Sequence, residues 1–155
     1  MKKLVFALAA VSMFTACKKW ENWSTEKKVT GVWNGNNQEI IISAAPLFDS
    51  SAVEATDYLT ANFMEDGGLL IDSMGTQLDS IGWSIKNDTV LVLSDVDMGS
   101  SAGGMNFGTS NMEYVIKKLT QEEFIFVYDT TLSVSIPNIP LPIDVTIKQK
   151  QRWMK

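Results

Sequence analysis

The chain has 155 residues, 13 basic and 18 acidic side chains, and a formal net charge of −5, a length that suits one domain. Its acidic balance excludes a nucleic-acid binding protein, because phosphates require a basic face. A single cysteine excludes an intramolecular disulfide framework, and the lack of histidine removes the commonest general base.

The N-terminus has the pattern of an export signal. Two lysines precede the apolar run LVFALAAVSMF, residues 4–14, which is shorter than the roughly 20 residues that span a bilayer. Small residues then lead directly into Cys17. This arrangement resembles the bacterial lipobox, in which the cysteine thiol is diacylated and becomes the first residue. We therefore predict a lipoprotein signal peptide over residues 1–16 and lipid attachment at Cys17.

The segment that follows, residues 17–28, is polar and charged and is interpreted as a lipidated tether. Its Trp20 and Trp23 suit either the lipid interface or the rim of the folded domain. Lys18 and Lys19 do not match the aspartate that retains lipoproteins in an inner membrane. The predicted location is therefore the bacterial cell envelope. The protein is expected to be anchored to a membrane by its lipid, and the outer membrane is favoured. Removal of the two leader lysines leaves 11 basic and 18 acidic side chains, a net charge of −7.

From Val29 to the C-terminus, the sequence has the alternation of β-strands. Apolar residues recur at every second position, and turn-forming residues separate the segments. One short helical turn is expected after Asp49, where Ser51 and Glu54 resemble a capping box. Eight strands are predicted, over residues 29–45, 58–65, 69–74, 78–86, 89–95, 111–119, 123–130 and 143–153.

The connections between these strands alternate in length. Tight turns are expected at residues 66–68, 87–88 and 120–122, and long loops at residues 46–57, 96–110 and 131–142, with residues 75–77 as the one short connection at the long-loop end. In an up-and-down meander, successive connections lie at opposite ends. The pattern predicts an all-β fold over residues 29–155, an eight-stranded up-and-down antiparallel barrel with one open mouth. A β-sandwich is the alternative, and it would need a long crossing connection.

Three stretches resemble the lipocalins, and in particular the small lipocalin-like lipoproteins of Bacteroidetes. They are Gly31-Val32-Trp33 at the start of the first strand, FMEDGG, and VIKKLTQEEFIFVYD. The resemblance implies a barrel that carries a small apolar molecule. It also implies a barrel floor in which an arginine late in the last strand stacks on the tryptophan, here Arg152 on Trp33.

Strand alternation complicates this floor, which would contain Gly31, Trp33, Arg152 and Trp153. Alternation places Trp153 inside and Arg152 outside, so stacking of Arg152 would require a bulge near Lys150 or a side chain wrapped under the rim. Otherwise Trp153 is the expected partner of Trp33.

The barrel interior and its mouth supply the remaining candidate residues. An eight-stranded barrel is either filled by side chains or holds one small ligand. Four aromatic residues are candidates to line or to fill the interior: Phe63, Trp83, Tyr114 and Phe126. Six apolar loop residues are candidates for contacts at the mouth: Phe48, Met98, Met105, Phe107, Ile139 and Leu141.

Neither an enzyme nor a metal site is predicted, and no cofactor is expected. The segment that begins at Asp95 starts like a calcium loop, but its glycine comes one position early and its twelfth residue is Asn106. The predicted function is a lipid-anchored envelope protein that binds a small apolar or amphipathic ligand. The alternative is an interaction module with a filled barrel, whose apolar loops bind an envelope protein or a glycan. An interior cavity of about 300 Å³ or more would favour the ligand.

Overall fold

The chain folds almost entirely into strands. The computed structural model describes residues 20–44, 47–97, 100–101, 105–106, 109–134 and 143–155. Its elements are helix α1 (Thr25–Val29) and strands β1 (Gly31–Ala44), β2 (Phe48–Ala55), β3 (Leu59–Phe63), β4 (Gly68–Ser73), β5 (Thr76–Lys86), β6 (Val90–Asp97), β7 (Ser100–Ser101), β8 (Met105–Asn106), β9 (Thr109–Leu119), β10 (Glu123–Val134) and β11 (Ile143–Met154).

Eight of these strands close into an antiparallel barrel. Their order around the barrel follows the chain, β1-β3-β4-β5-β6-β9-β10-β11, and β11 returns to pair with β1. The predicted eight-stranded up-and-down barrel is therefore confirmed. β2 lies outside the closed barrel as an additional strand on β1, and β7 and β8 pair only with each other among the described strands.

The two ends of the barrel differ in their connections, as the sequence predicts. Short turns join β3 to β4, β5 to β6, and β9 to β10 at the end where β1 begins and β11 finishes. Asn87 and Asp88 occupy one of these turns with φ values of 53° and 59°, which asparagine and aspartate tolerate well. We call this end the floor. The longer connections, from β6 to β9 and from β10 to β11, lie on the opposite side, which we call the mouth; the two-residue β4–β5 turn is the short connection on that side.

The predicted loop over residues 46–57 is wrong, because most of it is β2. This strand pairs with β1 in unbroken antiparallel register, from Ala44 opposite Phe48 to Asn37 opposite Ala55. A helical turn at Ser51 would form few internal hydrogen bonds, whereas pairing with β1 supplies backbone partners along the whole segment. The other two predicted long loops are also shorter than expected, since β6 reaches Asp97 and β10 reaches Val134.

A tight corner lets β2 and β3 share one edge of β1. β3 pairs with residues 31–34 of β1, and β2 pairs with residues 37–44. Thr56 crosses between them, and its N–H donates to Asn36 O at 3.2 Å. Gly35 is required there, because a Cβ at this position would lie 2.2 Å from the carbonyl oxygen of Thr56. β1 also carries a bulge at this level, between Gly35 and Asn37.

On one side of the barrel four strands continue past this corner toward the mouth, while on the other side β6 and β9 stay paired as far as Asp97 opposite Thr109. β4 ends at Ser73, opposite Leu59, and the regular pairing of β9 with β10 ends at Val115, opposite Val127. Beyond these levels, β2, β1, β11 and β10 form a four-stranded sheet. We call this sheet the wall; it consists of residues 37–44, 48–55, 128–134 and 143–151.

The predicted tether contains a short helix. Ser24 is its N-cap, and its hydroxyl accepts a hydrogen bond from the N–H of Lys27 at 3.3 Å. Val29, the last helical residue, is fully buried in the barrel core. α1 therefore packs against the floor, while residues 1–19, which include the predicted signal peptide and Cys17, lie outside the described residues.

Candidate functional site

The floor half of the barrel interior is filled by aromatic side chains. Phe63 packs edge-to-face on Trp83 with ring centroids 5.3 Å apart, and Phe124 lies 4.7 Å from Phe126. Trp33 is fully buried and lies 5.4 Å from Phe124. All four predicted interior aromatics, Phe63, Trp83, Tyr114 and Phe126, are buried in this one cluster. At the level of this cluster they fill the interior.

The cation over Trp33 is Lys155, not Arg152. Lys155 Nζ lies 4.7 Å from the centre of the indole ring, and Trp33 Nε1 donates to the carbonyl oxygen of Val29 at 2.6 Å. Lys155 follows the end of β11, so strand alternation does not constrain its direction. Gly31 adopts a φ of 115° beside the Lys155 side chain, and Trp153 is buried in the core. β11 has no bulge near Lys150 in its pairing with β10, and the bulge at this end of the barrel lies on β1.

Arg152 pairs with Glu123, on the outside of the same end. Arg152 Nε lies 2.6 Å from Glu123 Oε1, and the two charged groups form an ion pair. This contact is not a hydrogen bond, since the Nε–H of Arg152 has no hydrogen-bond partner among the described residues. Lys118 contacts the other carboxylate oxygen. The hydrogen bond from Lys118, with help from the charge of Arg152, holds the pKa of the Glu123 carboxyl below its usual range against the opposing effect of burial.

A polar pair lies at the upper limit of the aromatic core. Tyr114 is almost fully buried, and its hydroxyl donates to Gln149 Oε1 at 3.0 Å. The Tyr128 ring lies beside it, with centroids 5.4 Å apart. Burial, and then the nearby Tyr128, raise the pKa of the Tyr114 phenol, so Tyr114 stays a neutral donor. The amide group of Gln149 carries two further donors in its NH₂ group.

Above this polar pair, the interior is bounded by the inner face of the wall. Trp153 faces the core, and alternate residues of a strand share one face, so Gln149 and Ile147 face inward as well. The cross-strand register extends this face to β1 and β10. On β1, β10 and β11, five of its apolar members are half-buried, namely Ile40, Ile42, Leu132, Val145 and Ile147, and Ala44 is buried. The wall therefore presents an apolar patch on β1 and β11 above the polar pair, bordered by Thr130 on β10 and by Ser50 and Glu54 on β2.

The outer face of the wall is polar and paired across strands. Lys148 lies 3.3 Å from Asp129, and Lys150 lies 3.8 Å from Glu39. The apolar exceptions on this face are Ile41, in a shallow hollow beside Val127, and Val53 and Ala55 on β2. The wall is thus amphipathic, with an apolar side toward the interior and a charged side toward solvent.

The predicted mouth residues fall mostly outside the described structure. Phe48 begins β2 at the top of the wall and is 50 % exposed. Met105 belongs to β8, without a described side chain. The other four lie outside the described residues: Met98, Phe107, Ile139 and Leu141.

A separate groove of about 490 Å³ lies outside the barrel, between α1, the β3–β4 turn and β5. Its rim carries Glu26, Glu65 and Asp66 together with Lys27, and Trp83 lies at its base. These charges do not match the apolar ligand that the sequence predicts.

Sequence reasoning missed the wall and the Tyr114–Gln149 pair. The signal for the wall was present as the alternation of Ile40 and Ile42 with Val145 and Ile147. This signal was not enough to predict the wall, because the wall needs four long strands and the sequence predicts a loop in place of β2. The partner of Tyr114 could not be found, since Gln149 is distant in sequence.

Three further findings bear on the class of protein. Within the described ranges, no three histidine, cysteine or acidic residues are placed to hold a metal ion. None of the helices in the described part of the chain has the length and apolarity needed to cross a membrane. No family model, no curated protein and no solved structure matches this chain.

Proposed function

We propose that this chain is a lipid-anchored protein of the bacterial cell envelope whose barrel binds a small amphipathic ligand at its mouth end. The observation that carries the proposal is the wall, whose half-buried apolar inner face lies above a filled core. A ligand with an apolar tail would pack on Ile40, Ile42 and Ile147. Its polar group would reach the amide of Gln149 beside Tyr114.

The proposed anchor rests on the N-terminal sequence. Lysines, an apolar run and small residues before Cys17 form the pattern of a lipoprotein leader. The resemblance to lipocalin-like lipoproteins supports the same assignment. α1 packs at the floor, so an anchor attached before it would leave the mouth pointing away from the membrane and open to a ligand.

The adjacent residues Ile41 and Ile42 provide a matched test of the ligand site. They share a strand and a residue type, but Ile42 faces the interior and Ile41 faces outward. The probe is an environment-sensitive fluorescent fatty acid, titrated into the full chain in detergent below its micellar concentration.

We expect Ile42→Asn to raise the Kd of the probe about tenfold, because a large apolar contact becomes polar. Ile41→Asn should leave the Kd within about twofold of the wild-type value. Equal affinity in all three proteins, or no saturable binding to the wild type, would refute a ligand site on the inner face.

A further inference from the structure

We propose that the free edge of β2 binds an extended, basic segment of another protein by strand addition. β2 uses one edge to pair with β1, and no other described strand pairs with its second edge. All 8 of its residues are exposed, including Val53 at 72 %. Such an edge presents a row of unpaired N–H and C=O groups to an incoming chain. This surface is distinct from the inner face of the wall, so the inference does not depend on the ligand.

The barrel leaves a strand-shaped space beside this edge. β2 and β3 form one line along β1, interrupted only at the Thr56 corner. β4 covers β3 but stops at Ser73. A strand added to β2 would therefore continue the line of β4 toward the mouth, over a length of about 25 Å.

The β4–β5 turn closes the end of this space that is nearer the floor, and we call this turn the ledge. The β4–β5 turn lies against the start of β3, where the N–H of Met74 donates to Tyr58 O at 3.2 Å. A hollow of about 390 Å³ is found there, lined by Asp57, Tyr58, Thr60, Met74 and Gly75. Met74 is 87 % exposed and Tyr58 is 45 % exposed. The ledge thus offers an apolar contact to the end of an added strand, independently of the edge itself.

The edge lacks several of the usual protections against strand addition, although it carries two charged residues, Asp49 and Glu54. Natural edge strands are commonly blocked by lysine, proline, a bulge or short length. β2 contains neither lysine nor proline, and its register with β1 is unbroken over 8 residues. An unblocked edge of this length is expected to be covered in the working protein.

The charge of the edge indicates which kind of segment would bind to it. From Leu47 to Thr60 the chain has three acidic residues, Asp49, Glu54 and Asp57, and no basic one. A second copy paired along this edge would bring two acidic strands side by side, with no basic residue on either strand to offset the repulsion between their charges. An extended segment with lysine or arginine at these positions matches the edge instead.

The hydrogen-bond phase of β2 identifies a variant that blocks the free edge alone. The N–H of Thr56 donates to Asn36 O, and the bonding direction repeats at every second residue. The N–H of Ala52 therefore faces β1, whereas the N–H of Val53 faces the free edge. Val53→Pro removes an edge donor and keeps the pairing with β1. Val53→Thr is the matched control, since it keeps both the N–H and the β-branched shape.

The probe is a blocked fluorescent peptide of about eight residues that alternates valine with lysine and threonine, measured by fluorescence anisotropy against the full chain in detergent. We expect saturable binding that weakens with added salt. Val53→Pro should raise the Kd at least about fivefold, and Val53→Thr should not. Replacement of the lysines by glutamate should abolish binding.

Two N-methylated peptides test the proposal without altering the protein. In each peptide, the backbone nitrogens of alternate residues are methylated. The methyl groups of one peptide lie on one edge of the extended backbone, and those of the other peptide lie on the opposite edge. Strand addition predicts that one of the pair loses binding and the other keeps it. Equal binding by both, or a Val53→Pro variant with wild-type affinity, would overturn the proposal. So would a wild-type dimer that Val53→Pro dissociates, because the occupant would then be a second copy.

Discussion

At the floor end, the Glu123 carboxylate joins three strands. It begins β10 and pairs with Lys118 of β9 and with Arg152 of β11. Its side chain is nearly buried, although the rim is otherwise exposed. These ion pairs thus connect β9, β10 and β11 near the end of β11, and we expect them to oppose fraying of its last residues.

This arrangement makes the stability of the barrel depend on pH. Because the pKa of Glu123 is lowered in the folded protein, the stabilisation is fully present above the unfolded carboxyl pKa of about 4.3. It is lost as the pH falls through the lower folded pKa. We expect the free energy of unfolding to fall more steeply below about pH 4.3 in the wild type than in Glu123→Gln.

The control for this measurement is Glu113→Gln. Glu113 forms an exposed ion pair with Lys86 at 2.8 Å, and exposed pairs contribute little. The free energy of unfolding of Glu113→Gln, measured with urea at each pH, should fall in acid with the same slope as that of the wild type. An unchanged slope in Glu123→Gln would contradict the assignment.

Residue-level predictions from the sequence succeeded where alternation governs direction. Ile81 and Trp83 share the buried face of β5, as their spacing predicts. The cation over Trp33 was assigned to Arg152 because lipocalins have an arginine there. Lys155 takes this place because it lies beyond the last strand, where period-two alternation no longer fixes the direction of a side chain.

At the scale of elements, the corner at Gly35 decides how the barrel and the wall are joined. Thr56 is buried against Gly35 where β2 passes into β3. A close approach of two backbones needs a residue without a Cβ. The same corner lets one edge of β1 serve two partners in succession.

Gly35→Ala should therefore destabilise the protein. The added Cβ would lie 2.2 Å from Thr56 O, so the corner must move, at a cost of roughly 1–3 kcal/mol. Gly82→Ala is the matched control within a strand, because its Cβ would meet the Ser94 Cβ at 3.3 Å and a small shift suffices. Urea unfolding of both variants measures the difference. Equal stability of the two would show that the corner is not tight.

Two of the elements that the sequence did not predict, β2 and α1, share a physical cause. β2 has aspartate, serine and glutamate at positions typical of a helix start, and its strand conformation comes from pairing with β1. α1 is short and charged, and packing of Val29 under the barrel makes it a helix. In both cases, tertiary contacts outweigh weak local preferences.

At the scale of the whole molecule, the N-terminal segment and the wall lie toward opposite ends. The described chain enters at the floor, where Thr25 Oγ1 donates to Asp88 O at 3.1 Å in the β5–β6 turn. A lipid on Cys17 would hold this end near a membrane. The barrel shape, and the end that carries the tight turns, could be predicted from loop lengths alone. The wall could not, because it depends on which strands outlast their neighbours.

The anchor predicts a change in fractionation. Cys17→Ser removes the thiol that would accept the lipid, so the protein should move from the membrane fraction to the soluble fraction of its host. Ser24→Ala, which keeps the thiol, should fractionate like the wild type. Membrane association that survives Cys17→Ser would contradict the anchor.

The central claim is that the mouth half of the barrel holds a small amphipathic molecule. Native mass spectrometry of the full chain, extracted from its own host in mild detergent, tests this most directly. We expect a mass above that of the lipidated polypeptide, with an excess that disappears on denaturation and is reduced in Ile42→Asn but kept in Ile41→Asn. A native mass equal to the denatured mass, or an excess that Ile42→Asn leaves unchanged, would contradict the claim.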